Sequence, residues 1–294
     1  MNVKNVVKDC LAIYQKQTEE KIRQSFFIFG EKGTLREACE YALTTGGRRF
    51  RPALVFMVAD ALGNSLDASD AALSVEYFHT ASLIADDLPC MDDDDERRNK
   101  PSLHKAFGEA TALLASYTLI AAGNACIASC AQSLVQSGHP AISNGYQVGI
   151  LALEHAARST GAQGATGGQF LDIFPPTLTL ESLREIIYKK TVSLFEIAFL
   201  FGWLFGGGDI KKIEQVKQVA LHFGMAFQIA DDLSDVTQDA INERAVNMVG
   251  ILGIEKAREV FRNEIAGYRQ SLKTLGIDSQ QLLGLALYLE ELVN

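Results

Sequence analysis

Two carboxylate clusters set the chemical question. Residues 86–96 read Asp-Asp-Leu-Pro-Cys-Met-Asp-Asp-Asp-Asp-Glu, seven acidic side chains in eleven positions. The run leading in contains Leu73, Val75, Tyr77, Phe78, Leu83 and Ile84 and is strongly apolar. Carboxylates at the end of such a helix lose hydration and need a compensating charge. On one unbroken helix six residues turn roughly 600°, so Asp86 and Asp92 would face different ways. Pro89 argues that the helix ends or bends there, and a bend lets Asp92 fold back toward Asp86. The second cluster is Phe227-Gln228-Ile229-Ala230-Asp231-Asp232-Leu233-Ser234-Asp235. Asp231 and Asp235 share a helix face, where like charges repel unless a cation sits between them. Carboxylates without histidine suit a hard cation such as magnesium, which prefers a few carboxylates plus phosphate oxygens.

Basic residues supply the complement. Gly46-Gly47-Arg48-Arg49-Phe50-Arg51-Pro52 places three arginines in four positions, Arg97-Arg98 follows the first acidic run, and Lys189-Lys190-Thr191 opens an otherwise apolar helix. Arginine binds phosphate through two parallel hydrogen bonds, and lysine acts as a point charge. One island alone reads as a surface patch. Two acidic clusters with three basic islands suggest one diphosphate held through metal and another held by arginine.

The elements that must position these groups are helices. Leu35, Ala38, Cys39, Ala42 and Leu43 recur at helical spacing, as do Val216, Val219, Ala220 and Phe223, and Leu282, Leu283, Leu285, Ala286 and Leu289. Alternating strand patterns are missing. Pro140, Pro175-Pro176, Gly161–Gly168 and Gly206–Gly208 punctuate the chain without a composition shift. The expectation is one all-α domain over residues 1–294, with ten to thirteen helices. Ala110–Val135 and Thr191–Phe205 are apolar but interrupted, so both are expected as buried core helices rather than membrane spans. The 294 residues are 48% hydrophobic, too apolar for disorder. With 27 Lys and Arg against 36 Asp and Glu, the formal charge is −9, a poor match to nucleic acid. Five cysteines without framework spacing read as reduced thiols, and no targeting segment shows, so a soluble cytoplasmic protein is expected.

In order along the chain, these motifs resemble those of the trans-type polyprenyl diphosphate synthases. Gly46–Pro52 is similar to GGKRxRP, with Arg48 where lysine is usual. Asp86–Asp92 followed by Arg97-Arg98 matches DDxxxxD…RR. Gly168-Gln169-Phe170-Leu171-Asp172 matches GQxxD, Lys190-Thr191 the KT pair, and Phe227–Asp235 the second motif FQxxDDxxD. The resemblance implies a large helical bundle around a deep central cavity, a homodimer, and head-to-tail condensation of isopentenyl diphosphate with an allylic diphosphate. It implies magnesium held by Asp86, Asp92 and Asp231, with Asp235 acting through a bound water. Arg97 and Lys190 would neutralise the allylic diphosphate, in a subsite that also takes Asp87, Gln169, Asp172 and Asp232. Arg48, Arg51, His79 and Arg98 would hold isopentenyl diphosphate. Thr191 and Gln228 would face the carbocation.

In this family, bulky residues four and five positions before the first aspartate close the cavity floor. Here these are Ser82 and Ala81, both small, which implies a geranylgeranyl product rather than the farnesyl alternative. The segment after Asp235 is about ten residues shorter than the family pattern and lacks its lysine, with Arg244 as a substitute. Ser116–Leu119 stands in for GDxL, Asn99 for a common glycine and Ala85 for a common histidine. A terpene cyclase, a rival with the same fold, has no need of Arg48, Arg51 and Arg98. A non-catalytic subunit of a heteromeric synthase would typically lose aspartates that are all present here.

Overall fold

The computed structural model describes residues 3–142, 144–177, 179–234 and 247–293. The helices are α1 (Val3–Gln24), α2 (Thr34–Thr44), α3 (Phe50–Ala61), α4 (Ser69–Asp86), α5 (Leu103–Phe107), α6 (Glu109–Ser137), α7 (Gly145–Thr160), α8 (Ala165–Ile173), α9 (Leu180–Ile187), α10 (Ser193–Phe205), α11 (Ile213–Ser234), α12 (Met248–Leu252), α13 (Ile254–Leu275) and α14 (Gln280–Val293). Among the described residues that is one more segment than the sequence range, because α5 and α12 are five-residue turns too short for periodicity to register. The strands among the described residues are the two-residue β1 (Glu96–Arg97) and β2 (Lys100–Pro101), paired antiparallel.

α10 is the axis of the bundle. All thirteen of its residues are buried, as a helix apolar on every side requires. It packs on α3, α4, α7 and α11. Gly202 allows the approach to α3, since a Cβ there would lie 2.6 Å from the Val55 carbonyl oxygen. An aromatic cluster of Phe50, Phe195, Phe199, Phe223, Phe227 and Tyr268 joins α3, α10, α11 and α13. α4 serves two cores at once. Ala71, Ala72, Val75 and Phe78 face this main core. Leu73, Tyr77, Ala81 and Ile84 face a smaller one against α2 and α6. A helix buried from both sides holds its C-terminal Asp86 rigidly.

Two expectations need correction. Lys189-Lys190-Thr191 does not open a helix: it lies in a π-helical turn, Tyr188–Val192, between α9 and α10. Such turns widen a helix by one residue and recur at functional sites. α6 is also not a fully buried core helix. It is long and apolar enough to cross a membrane, and only 44% of its most apolar window is buried. Leu113, Leu114, Tyr117 and Ile120 are exposed on it, as are Tyr146, Ile150 and Leu153 on α7.

Candidate active site

α4 ends at Asp86, and the loop after it turns back as the proline predicts. The Asp92 amide donates to the Asp86 carbonyl at 2.9 Å, and the Met91 amide donates to Leu88 at 2.8 Å. The fold-back brings the first and last aspartates of the motif to one place. Burial lifts the Asp86 carboxyl to about 7, Lys190 and Arg97 pull it down, and Asp92 and Asp87 push it up. A carboxylate crowded in this way favours a neutralising cation, and the surrounding donors are oxygens. Gln169 on α8 donates to Asp92 at 3.3 Å, while its buried Oε1 has no partner among the described residues.

Asp87 points elsewhere. It is buried, and Arg97 grips it with Nε at 2.9 Å from Oδ1 and with a further bond from Nη2. The same Nη2 reaches Asp94 at 3.1 Å. Arg97 sits on the β1–β2 hairpin, whose turn residues Arg98 and Asn99 both have positive φ, 57° and 61°. A two-residue hairpin turn of the primed type needs two such residues, and asparagine tolerates this conformation where glycine is more usual. The turn aims Arg98 at the Gly46-Gly47 loop, where its guanidinium bonds the Gly46 carbonyl. Gly47 has φ +130°, and a Cβ there would lie 2.6 Å from the Arg98 guanidinium carbon. The glycine pair therefore makes room for arginine.

The residues expected on the isopentenyl side also converge. Arg51, on α3, lies over the Phe195 ring at 4.3 Å and bonds His79 on α4 at 3.2 Å. Burial lowers the Arg51 guanidinium to about 10, with Glu76 and Asp231 opposing, which places Asp231 within its electrostatic range. Burial, followed by the charges of Arg51, Arg98, Arg49 and Arg97, keeps the His79 imidazole neutral well below its ordinary range. Arg51 Nε and His79 Nδ1 are buried and have no partner among the described residues. Arg48 is exposed on the loop.

The π-turn joins the two halves. Lys190 bonds Asp172 of α8. Gly168 allows that contact, since a Cβ there would lie 2.3 Å from the Lys190 amide nitrogen. Thr191 donates to Gln228 Oε1 at 2.8 Å, and Gln228 donates to Asp232 at 2.9 Å. The other Asp232 oxygen accepts the Met248 amide at 2.7 Å. Asp232 is thus buried and bonded through both carboxyl oxygens, which fixes the side-chain amide of Gln228. Asp231, beside it, is exposed. Asp235 and Arg244 lie outside the described residues.

Asp86 is also on the wall of an apolar cavity of about 340 Å³. Phe78, Ala81 and Ser82 line it from α4, Ser116 and Ile120 from α6, Phe170 from α8 and Phe174 just after it, and Leu194 from α10. Both positions singled out for chain length therefore face the expected space, and α8 adds aromatic rings that the α4 motif does not reveal.

The sequence reading missed Arg49 and its partners. Arg49 has left-handed backbone, φ 46°, and a fully buried guanidinium. It bonds Glu76 at 2.5 Å, Glu19 at 2.7 Å and the Leu43 carbonyl at 2.5 Å. This latch ties α1, α2 and α4 together behind the loop that carries Arg48 and Arg51. In sequence it looks like one more phosphate ligand.

The comparisons with known proteins agree with this geometry. The family description "Polyprenyl synthetase" matches residues 32–245. Geranylgeranyl pyrophosphate synthase 11, chloroplastic, of Arabidopsis thaliana is 35% identical over 281 residues, covering 87% of this chain and 74% of that protein. The heterodimeric geranylgeranyl pyrophosphate synthase large subunit 1, chloroplastic, of the same plant is 36% identical over 275 residues, covering 87% and 73%. A crystal structure of an FPP/GFPP synthase from Zymomonas mobilis superposes with a TM-score of 0.78 at 30% identity, covering 95% of this chain and 98% of that one. With its motifs in register and its helices in this arrangement, the chain belongs to the polyprenyl synthetase family.

Proposed function

We propose that the protein is a magnesium-dependent short-chain prenyl diphosphate synthase that condenses isopentenyl diphosphate with an allylic diphosphate, with geranylgeranyl diphosphate as product. The observation that carries this reading is the position of Asp86. Its carboxyl is drawn to Asp92 by the fold-back, lies in the field of Lys190 and Arg97, and opens onto the apolar cavity.

Asp86, Asp92 and Asp231 would hold magnesium, and bound magnesium would offset the charge that develops on the leaving diphosphate. Lys190 and Arg97 add cationic charge at the same place, preorganised by Asp172 and Asp87. Arg51 Nε needs an acceptor, and a diphosphate oxygen provides one, with Arg98 and Arg48 as further ligands of the same group. Thr191 gives its proton to Gln228, so its oxygen lone pairs remain for the allylic cation. The apolar wall excludes water that would quench that cation. Ala81 and Ser82 leave depth for a fourth isoprene unit, and Phe170 and Phe174 border the space.

The exposed apolar face of α6 and α7 supports a homodimer, because a patch of this kind marks an interface. A heterodimer is the second reading, favoured by the relative named as a heterodimeric large subunit. Five unpaired thiols support a reducing compartment, and we place the protein in the cytoplasm. The test is incubation with isopentenyl diphosphate and dimethylallyl, geranyl or farnesyl diphosphate, with products resolved by chain length and the protein sized by gel filtration. A twenty-carbon product from a dimer is expected. A fifteen-carbon end point overturns the product, and an inactive monomer favours the heteromeric reading.

A further inference from the structure

The acidic run contains more carboxylates than the site just described uses. Asp93 and Asp95 lie beside it, and the β1–β2 hairpin carries the chain round so that His104 of α5 meets them. The hairpin register pairs Glu96 with Pro101, and the Ser102 amide donates to the Asp95 carbonyl at 2.9 Å. One oxygen from each aspartate and one histidine nitrogen all lie within 4.8 Å of one another.

We propose that Asp93, Asp95 and His104 form a second cation site, separate from the diphosphate-binding aspartates and selective for a borderline first-row dication of the zinc class. His104 is 6% exposed, and its buried Nε2 has no hydrogen-bond partner among the described residues. Its other nitrogen, Nδ1, is 3.2 Å from Ser102 Oγ. If Nδ1–H donates to that hydroxyl, the free lone pair is on Nε2, the arrangement that orients a ligating histidine. A buried nitrogen left unpaired is costly, and a cation removes that cost. The two aspartates are exposed and can move toward bonding distance. Asp95 now bonds Lys105 at 2.7 Å, and the cation displaces that ammonium. Imidazole with carboxylates suits zinc, cobalt or manganese, whereas magnesium prefers oxygen alone. An ion here straps the base of the hairpin that carries Arg97 and Arg98.

The experiment needs no substrate, so it is independent of the synthase reading. The whole protein is dialysed against Zn²⁺ with millimolar Mg²⁺ present, and Co²⁺ is used for its visible spectrum. One Zn²⁺ per chain is expected, with affinity at least tenfold weaker in His104→Gln and in Asp95→Asn and unchanged in Asp86→Asn. The Co²⁺ band should carry a nitrogen signature that His104→Gln removes. If His104→Gln does not fold, Asp95→Asn decides, since that residue is exposed. No Zn²⁺ uptake by the unaltered protein, uptake that ignores both substitutions, or uptake lost in Asp86→Asn overturns the proposal.

Discussion

Replacing Arg49 by methionine separates the latch from the phosphate-binding arginines. Its guanidinium is fully buried, the Glu76 side chain is 2% exposed and the Glu19 side chain 19%. Methionine keeps the length of the side chain and removes every donor. Glu76 then stays in the core without its bonded counter-charge, left with the charges of Arg51 and Arg98 in range and a bond from Thr80 at 3.5 Å. Breaking one side of a buried ion pair costs about 3–5 kcal/mol. The total stability of a domain is about 5–15 kcal/mol, so the loss is large but survivable. Glu76→Gln in the Arg49→Met background removes the orphan charge and should recover more than half of it, because replacing a whole buried pair is often near neutral. The assay is urea unfolding of the four proteins of this cycle, with the KM for each substrate measured on those that remain folded. The KM for isopentenyl diphosphate should rise, because the latch backs the Arg48–Arg51 loop, while that for the allylic substrate changes little. A single-variant loss below about 1 kcal/mol, or a double variant as unstable as the sum of its parts, refutes the reasoning.

Four further outcomes are expected. Ser82→Phe should shorten the product: one isoprene unit carries five carbons worth about 0.8 kcal/mol each on burial, about 4 kcal/mol together, or roughly a thousandfold in partition between fifteen and twenty carbons; chromatography of the products checks it. Ala81→Tyr should act in the same direction at a further cost of about 1–3 kcal/mol from overpacking, since Ala81 is only 2% exposed. His79 is held neutral below its ordinary value of 6.5, so below that pH the unfolded chain takes up a proton that the folded chain refuses. Stability from this group is present above 6.5 and falls as pH drops through the lowered value, and His79→Gln should flatten that slope in denaturation series at several pH values. Thr191→Val should lower kcat by roughly 10²-fold with little change in either KM, if its oxygen serves the cation rather than the ground state.

Much of this site was legible because motif residues have narrow chemical uses. Pro89 within an acidic run forces a turn, and the amide of Asp92 does return to Asp86. The spacing of α4 and α11 could be read because apolar residues repeat every three to four positions. The latch could not, because the direction of Arg49 depends on a positive φ that arginine does not advertise. Nor could the π-turn, since a helix widened by one residue keeps nearly the same apolar period around Lys190. For α6, composition reports apolarity and not what covers it. His104 drew no notice because its acidic neighbours are brought to it by a hairpin of two-residue strands.

The central claim is that the two aspartate motifs form one magnesium-dependent site. Asp92→Asn, Asp231→Asn and the double variant should be assayed for elongation of farnesyl diphosphate by isopentenyl diphosphate, in magnesium and in EDTA. Groups that act as a unit are strongly non-additive. The account predicts no turnover in EDTA, a loss of at least 10²-fold from each single substitution, and little further loss in the double variant. Turnover that persists in EDTA, or two small losses that simply multiply, would contradict it.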